Sequence, residues 1–272
     1  MRGLDGKVAI VTGAATLLGA EVSAGLARRG VHVLLADVNE ADGRAAAERI
    51  GTRARFCRTD LRDDAQIAQA VAMARSLWGG LDFVVNLATV YMDNGIESPR
   101  ADWSMALDTN ITGAAMLLQA AVPAMIARGG GSVVNFGSIS AHVAQPGRWV
   151  YPACKAAMLQ LTRNAAADLA QHNIRVNTVS PGWVWSSAFE RRTGGDRATA
   201  DAVAAPLHML GRMGDPAEVA DAVAFLLSDE ARFITAAELP VDGGYAALGP
   251  EQGISVAERF EAHAAHASPS TR

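Results

Sequence analysis

Two kinds of pattern alternate along the chain. Short runs, apolar at most positions, lie at 8–11, 31–36, 54–57, 83–85, 132–136, 175–179 and 238–241. Between them run longer Ala- and Leu-rich stretches with apolar residues every three or four positions, at 18–29, 40–50, 64–78, 100–127, 150–171 and 216–227. The first pattern predicts strands buried on both faces, and the second predicts the helices that cover them. Their alternation predicts an α/β fold, one doubly wound parallel sheet of about seven strands with helices on both faces. No repeat or interior linker interrupts residues 1–245, which read as a single domain. The character changes only after Tyr245. Residues 246–272 form an Ala-rich C-terminal extension, expected to be a short docking helix or partly disordered.

Composition agrees with a packed domain. Of 272 residues, 50% are apolar and 19% charged, which excludes a disordered or collagen-like chain. A net charge of −4 argues against broad binding to nucleic acid or to an anionic membrane. The two cysteines, Cys57 and Cys154, lack metal-ligand spacing and read as reduced thiols. No His/Cys cluster suggests a metal. Residues 109–127 are uncharged, but Asn110, Thr112, Gly113, Gln119 and Pro123 among them suit a core helix better than a membrane span. The polar start of the chain offers no targeting signal, so the expectation is a cytoplasmic protein with a small-molecule substrate.

The first strand runs into Thr12-Gly13-Ala14-Ala15-Thr16-Leu17-Leu18-Gly19 and then a helix. A glycine-rich turn at a helix start presents free N–H groups and the positive end of a dipole, and both suit a pyrophosphate. Gly13 suits the tight turn and Gly19 close helix packing. Asp37 ends the second strand, 18 residues after Gly19, where a carboxylate accepts from ribose hydroxyls and repels a 2′-phosphate. Asp60-Leu61 follows the third strand, beside an expected adenine site. Asn86-Leu87-Ala88 ends the fourth, at the sheet edge where ligands bind in such folds. The alternatives are a purely structural turn and, for Asp37, a helix N-cap.

Tyr151 and Lys155, four apart, share one face of the helix they open. A free tyrosine titrates near 10, and a neighbouring ammonium favours its phenolate. Ser138 lies thirteen residues before Tyr151, just after an apolar strand. Asn110 interrupts a helical pattern as a poor helix former, where it can bend the helix and bind a water. Singly, each has a structural reading: a surface pair, a turn serine, a satisfied core amide.

Together these residues resemble the short-chain dehydrogenase/reductase family over roughly residues 6–244. Asn110, Ser138, Tyr151 and Lys155 match its catalytic tetrad. Asn177, Pro181-Gly182 and Val241-Asp242-Gly243-Gly244 match further landmarks. Three positions depart from the pattern. Leu17 stands where the glycine motif has its middle glycine. Asn86-Leu87-Ala88-Thr89 stands for Asn-Asn-Ala-Gly, and Ser186 for the threonine that often follows Pro-Gly.

The resemblance implies a Rossmann-type domain with a small substrate lid within about 183–210. It implies an NAD-dependent interconversion of a secondary alcohol and a ketone. Tyr151 is then the general acid/base, Lys155 stabilises the phenolate and binds the nicotinamide ribose, Ser138 orients the substrate oxygen, and Asn110 holds a proton-relay water. Cofactor contacts are expected from Gly13, Thr16, Leu17, Leu18, Gly19, Asp37, Asp60, Leu61, Asn86, Ala88, Tyr151, Lys155, Pro181, Gly182 and Val184. A 3-oxoacyl-type reductase is an alternative, weakened by Asp37 because such relatives commonly use NADPH. A non-catalytic NAD-binding regulator is another, opposed by the intact tetrad. The small residues of 100–127 and 150–171 imply a homotetramer, or at least a homodimer. Tyr91, Ser140, Trp149, Trp183 and Phe189 are the expected substrate pocket, whose aromatic walls suit a cyclic or aromatic alcohol. Phe189 and Met209 are expected to close over the ligand. Arg191, Arg192 and Arg197 complicate that picture, since one of them could bind an anionic group.

Overall fold

The computed structural model describes residues 1–249 and 253–267. Seven strands form one parallel sheet: β1 (Val8–Thr12), β2 (His32–Asp37), β3 (Ala54–Arg58), β4 (Phe83–Asn86), β5 (Gly131–Phe136), β6 (Ile174–Pro181) and β7 (Glu238–Val241). Their spatial order is β3-β2-β1-β4-β5-β6-β7, so the winding reverses between β1 and β4. Ligands bind outside the carboxyl ends of the strands at such a switch point.

The pleat explains why the strands read as unbroken apolar runs. In β1, Val8 and Ile10 join the core on one face, while Ala9 and Val11 join the core on the other. In β2, Leu34 and Ala36 face one side, and Val33 and Leu35 the other. One face is covered by α1 (Leu17–Arg28), α2 (Glu40–Ile50) and α9 (Pro216–Leu227), through Val22, Leu26, Ala46, Val219 and Val223. The other is covered by α3 (Asp64–Trp78), α5 (Gly113–Ala127) and α6 (Val150–Leu169), through Ile67, Leu117, Met125 and Ala166.

Helix boundaries follow local chemistry. Asp63 caps α3 by accepting from the Ala65 and Gln66 amides, and Gly79 ends it at φ +78°, a left-handed conformation that only glycine adopts freely. Asp215 and Glu218 form a reciprocal capping box at the start of α9.

The structure corrects two predicted helices and adds two. The single helix expected at 100–127 is α4 (Arg100–Leu107) and α5 joined by a π-helical turn, Asp108–Thr112, centred on Asn110. The combined run is long and apolar enough to cross a membrane, yet Leu117, Ala121, Ala124 and Met125 are buried against the sheet. The helix expected at 150–171 is α-helical only to Leu169. Within 183–210 lie α7 (Ser187–Thr193) and α8 (Arg197–Ala204). Asp196 caps α8, and Gly194 ends α7 at φ +63°. After Tyr245 the extension contains α10 (Val256–Ala267), and residues 253–263 are exposed. Residues 250–252 and 268–272 of that expected extension lie outside the described residues.

Candidate active site

Most of the residues singled out in the sequence stand at the carboxyl edge of the sheet, because each follows a parallel strand. Gly13–Gly19 follows β1, Asp37 ends β2, Asp60-Leu61 follows β3, and Asn86 ends β4 with Leu87–Thr89 after it. Gly137-Ser138 follows β5, and Pro181 ends β6 with Gly182–Val184 after it.

The glycine loop has little room to change. A Cβ on Gly13 would meet the Ala88 Cα at 2.8 Å, and one on Gly19 would run into the Gly13 carbonyl oxygen. The Thr16 hydroxyl caps α1, accepting from the Gly19 amide at 3.0 Å and donating to the Gly13 carbonyl at 2.8 Å. Leu17 is the first helical residue and its side chain is exposed, so the motif departure adds no buried bulk. The Leu17 and Leu18 amides have no residue four positions earlier inside the helix to accept from them. Replacing Gly19 with Ala is expected to cost about 1–3 kcal/mol of stability, since backbone rather than a movable side chain must yield. Nucleotide affinity should fall with it. An unchanged melting temperature would contradict this account of the loop.

Asp37 does more than was legible in the sequence. Its carboxylate accepts from the Ala15 amide at 2.9 Å and the Asn39 amide at 2.9 Å, so it also pins the glycine loop. The N-cap of α2 is Asn39, not Asp37. The Asp60 carboxylate is held by Arg62 at 2.6 Å and 2.9 Å, which keeps it below the usual carboxylate range. Leu61 is buried, and it leaves no room for a Cβ on Gly113. Gly182 approaches the Asp242 backbone closely, and Val184 bridges to Gly214.

Thr12 stood in the glycine-rich motif without an assigned role, yet its hydroxyl accepts from the Leu87 and Ala88 amides, each at 3.1 Å, and joins β1 to the end of β4. Asn86 donates to Asn135 at 2.9 Å, and Asn135 donates to Thr162 at 2.8 Å. Two buried oxygens at this edge, Asn86 Oδ1 and Thr89 Oγ1, have no partner among the described residues. Orphaned acceptors beside a glycine cradle that any Cβ would fill fit a bound nucleotide.

The tetrad residues come from three elements. Tyr151 and Lys155 are buried on the first turns of α6, and Ser138 is buried just beyond β5. Lys155 Nζ donates to the Phe136 carbonyl at 2.8 Å and lies 5.6 Å from the centre of the Tyr151 ring. Burial lowers the Lys155 ammonium from its ordinary 10.5 to about 8. Burial also raises the Tyr151 phenol above its ordinary 10. Tyr91 pushes it the same way, while Ser138 and Arg148 oppose. In the protein alone, desolvation therefore outweighs the expected pull of the ammonium on the phenol. Asn110 is buried in the π turn, and both ends of its amide bond Val90, accepting at 2.8 Å and donating at 3.2 Å. It interrupts the α-helix as a π turn, and its side chain is engaged in holding the 89–95 segment.

The substrate side divides in a way the sequence concealed. The Tyr91 ring stacks on Tyr151, centres 4.8 Å apart. Ser140 bonds Ser138 at 3.2 Å and Gln145 at 2.7 Å, and so steadies the serine. Trp149 is half exposed at the head of α6. Its amide and that of Tyr151 both donate to Asp93, at 2.8 Å and 2.9 Å. Asp93 gave no signal in the sequence, because its partners are 56 and 58 residues away.

Trp183 and Phe189 pack on each other instead, 5.5 Å apart, in a small lid core with Trp185, Ala200, Ala204 and Met213. Trp183, Met209 and His208 also line a cleft of about 370 Å³ beside Asp242–Gly244, and no tetrad residue lines it. The expected aromatic pocket is thus split, because α7 and α8 need an apolar core of their own. Arg197 is held by Asp201 and Asp215 and is not free to bind an anion.

A family model described as Enoyl-(Acyl carrier protein) reductase matches residues 13–246. The chain is 39% identical over 252 residues to cis-4-hydroxycyclohexanecarboxylate dehydrogenase of Sinomonas cyclohexanicum, covering 89% of this chain and 97% of that one. It is 35% identical over 254 residues to 2,5-dichloro-2,5-cyclohexadiene-1,4-diol dehydrogenase of Sphingobium indicum, covering 91% and 100%. Among solved structures it is similar to a short-chain type dehydrogenase/reductase from Mycobacterium marinum, with TM-score 0.81, 32% identity, and coverage of 89% and 96%.

Proposed function

Since the chain belongs to the short-chain dehydrogenase/reductase family, we propose that it interconverts a secondary alcohol on an apolar ring and the corresponding ketone, with NAD. The observation that carries this reading is the buried Tyr151, with Lys155 beneath it and Tyr91 stacked on its ring. The two relatives whose names specify six-membered ring substrates support the substrate class.

The nicotinamide, when bound, supplies the hydride acceptor or donor. The protein's part is proton transfer and placement. In oxidation the Tyr151 phenolate removes the hydroxyl proton, and in reduction the phenol returns it. Ser138, steadied by Ser140, hydrogen-bonds the substrate oxygen and favours its developing charge. Lys155 favours the phenolate and offers hydrogen bonds to the nicotinamide ribose. The Leu17 and Leu18 amides, at the positive end of α1, would hold the pyrophosphate. Tyr91 lays a flat apolar wall over the reacting centre, which suits a ring better than a polyol.

The choice of NAD over NADP rests on Asp37, whose charge disfavours a 2′-phosphate and whose remaining lone pairs suit ribose hydroxyls. Asp37→Ala should weaken NAD use about tenfold or more and narrow the gap to NADP. It also removes the acceptor for the Ala15 amide. The check is kcat/KM with each nucleotide, and equal efficiency of the unmodified enzyme with both would refute the assignment.

A panel of secondary alcohols with NAD, followed at the nicotinamide absorbance, tests the reaction itself. Cyclohexanols should exceed open-chain sugars. Faster turnover of a sugar, or of an enoyl or 3-oxoacyl thioester with NADH, would overturn the reading.

A further inference from the structure

We propose that Arg148 anchors a carboxylate on the ring substrate, so that the preferred alcohol is a cyclic one carrying a single acid group. The proposal deepens the reading above and rests on it.

Arg148 was not among the arginines that the sequence singled out. Its guanidinium lies 5.9 Å from the centre of the Tyr151 ring, which also stacks on Tyr91. It is therefore an exposed positive charge beside the reacting centre, whereas the Lys155 ammonium near the same ring is buried. Among the described residues it makes no ion pair. The neighbouring acid, Asp93, spends its carboxylate on the amides of Gly95, Trp149 and Tyr151 instead. Arg197 and Arg212, by contrast, are bound to Asp201, Asp215 and Glu218.

The backbone presents this side chain in a defined place. The Arg148 amide bonds the Gln145 carbonyl at 3.2 Å, and Asp93 clamps the next residue. Gly147 turns at φ +75°, against Gly95. An unpaired guanidinium at the rim of an aromatic site offers a planar pair of donors matched to a carboxylate. One free cation balances one carboxylate, whereas a phosphate dianion calls for more positive charge than Arg148 supplies. A ring substrate filling the space beside Tyr91 would also exclude water from the pair and strengthen it.

Arg148 also favours the Tyr151 phenolate, so the test must separate anchoring from a general effect on the base. The first measurement is the ratio of kcat/KM for 4-hydroxycyclohexanecarboxylate to that for cyclohexanol. Arg148→Gln should lower the ratio about 10- to 100-fold, the range for a hydrogen bond to a charged group. Arg148→Lys should retain part of it, since it keeps the charge but not the paired donors.

The second measurement is calorimetric titration of the enzyme with cyclohexanecarboxylate in the presence of NADH. That acid has no hydroxyl to oxidise, so its binding is read without turnover. Binding by the unmodified protein, weakened at least tenfold in Arg148→Gln, supports the anchor. A ratio unchanged in Arg148→Gln, both alcohols falling together, means that Arg148 acts only through Tyr151 and overturns it. No binding of cyclohexanecarboxylate, or binding indifferent to the substitution, also overturns it. If neither alcohol is turned over while the acid still binds through Arg148, the reaction assignment fails and the anion site stands.

Discussion

Tyr151→Phe is expected to lower turnover about 10²- to 10⁴-fold while leaving the fold and nucleotide binding in place, the range for loss of a positioned acid/base. The substitution deletes one hydroxyl and keeps the ring that stacks on Tyr91 and faces Lys155. Ser138 retains Ser140 as a partner, so no buried hydroxyl is stranded. The unmodified enzyme should oxidise faster as pH rises, because burial and Tyr91 hold the phenol above its ordinary value and only its deprotonated form takes the proton. Reduction should show the opposite trend. Steady-state rates in both directions, with melting temperature and NADH titration as controls, check this. Near-normal turnover by a well-folded Tyr151→Phe protein would assign the proton transfer to another group.

Lys155→Met is expected to reduce turnover on a similar scale and to leave a second mark, in stability. Lys155 titrates at about 8 in the fold and near its ordinary 10.5 when unfolded. Between these values the unfolded chain holds a proton that the folded one has released, so the lysine's contribution to stability rises with pH. The cost of burying its charge is complete below about 8 and gone above 10.5. A difference of that size corresponds to about 3 kcal/mol. The stability of the unmodified protein relative to Lys155→Met should therefore climb between pH 8 and 10.5 and lie flat below 8. Below pH 8 the relief from buried charge is partly offset, because the Phe136 carbonyl loses its donor. Denaturant unfolding across that range measures the difference, and a pH-independent gap would show that the ammonium is not held at a lowered pKa.

The legible features were those that each depend on a few consecutive residues. Apolar runs and helical periodicity located all seven strands and most helices, because burying a strand on both faces constrains nearly every side chain in it. The glycine loop, Asp37, Ser138, Tyr151 and Lys155 were marked by motif and by the family resemblance, and the fold gathers them because the carboxyl ends of parallel strands converge on one edge. Asn110 was marked as a helix disruptor for a local reason too, and it sits in the π turn.

What only the tertiary structure decided was where side chains spend their contacts. Trp183 and Phe189 have the composition of a substrate wall, but they pack in the lid because two short helices need a core. Asp37 read as a ligand acid or a helix N-cap, but the fold brings the Ala15 amide to it from another strand end. Asp93 and Arg148 carried no local signature, and each matters through partners brought near by the packing of the 89–95 and 142–150 segments. The sequence led to the expectation that the neighbouring ammonium lowers the Tyr151 phenol, whereas burial, a property of the assembled core, raises it.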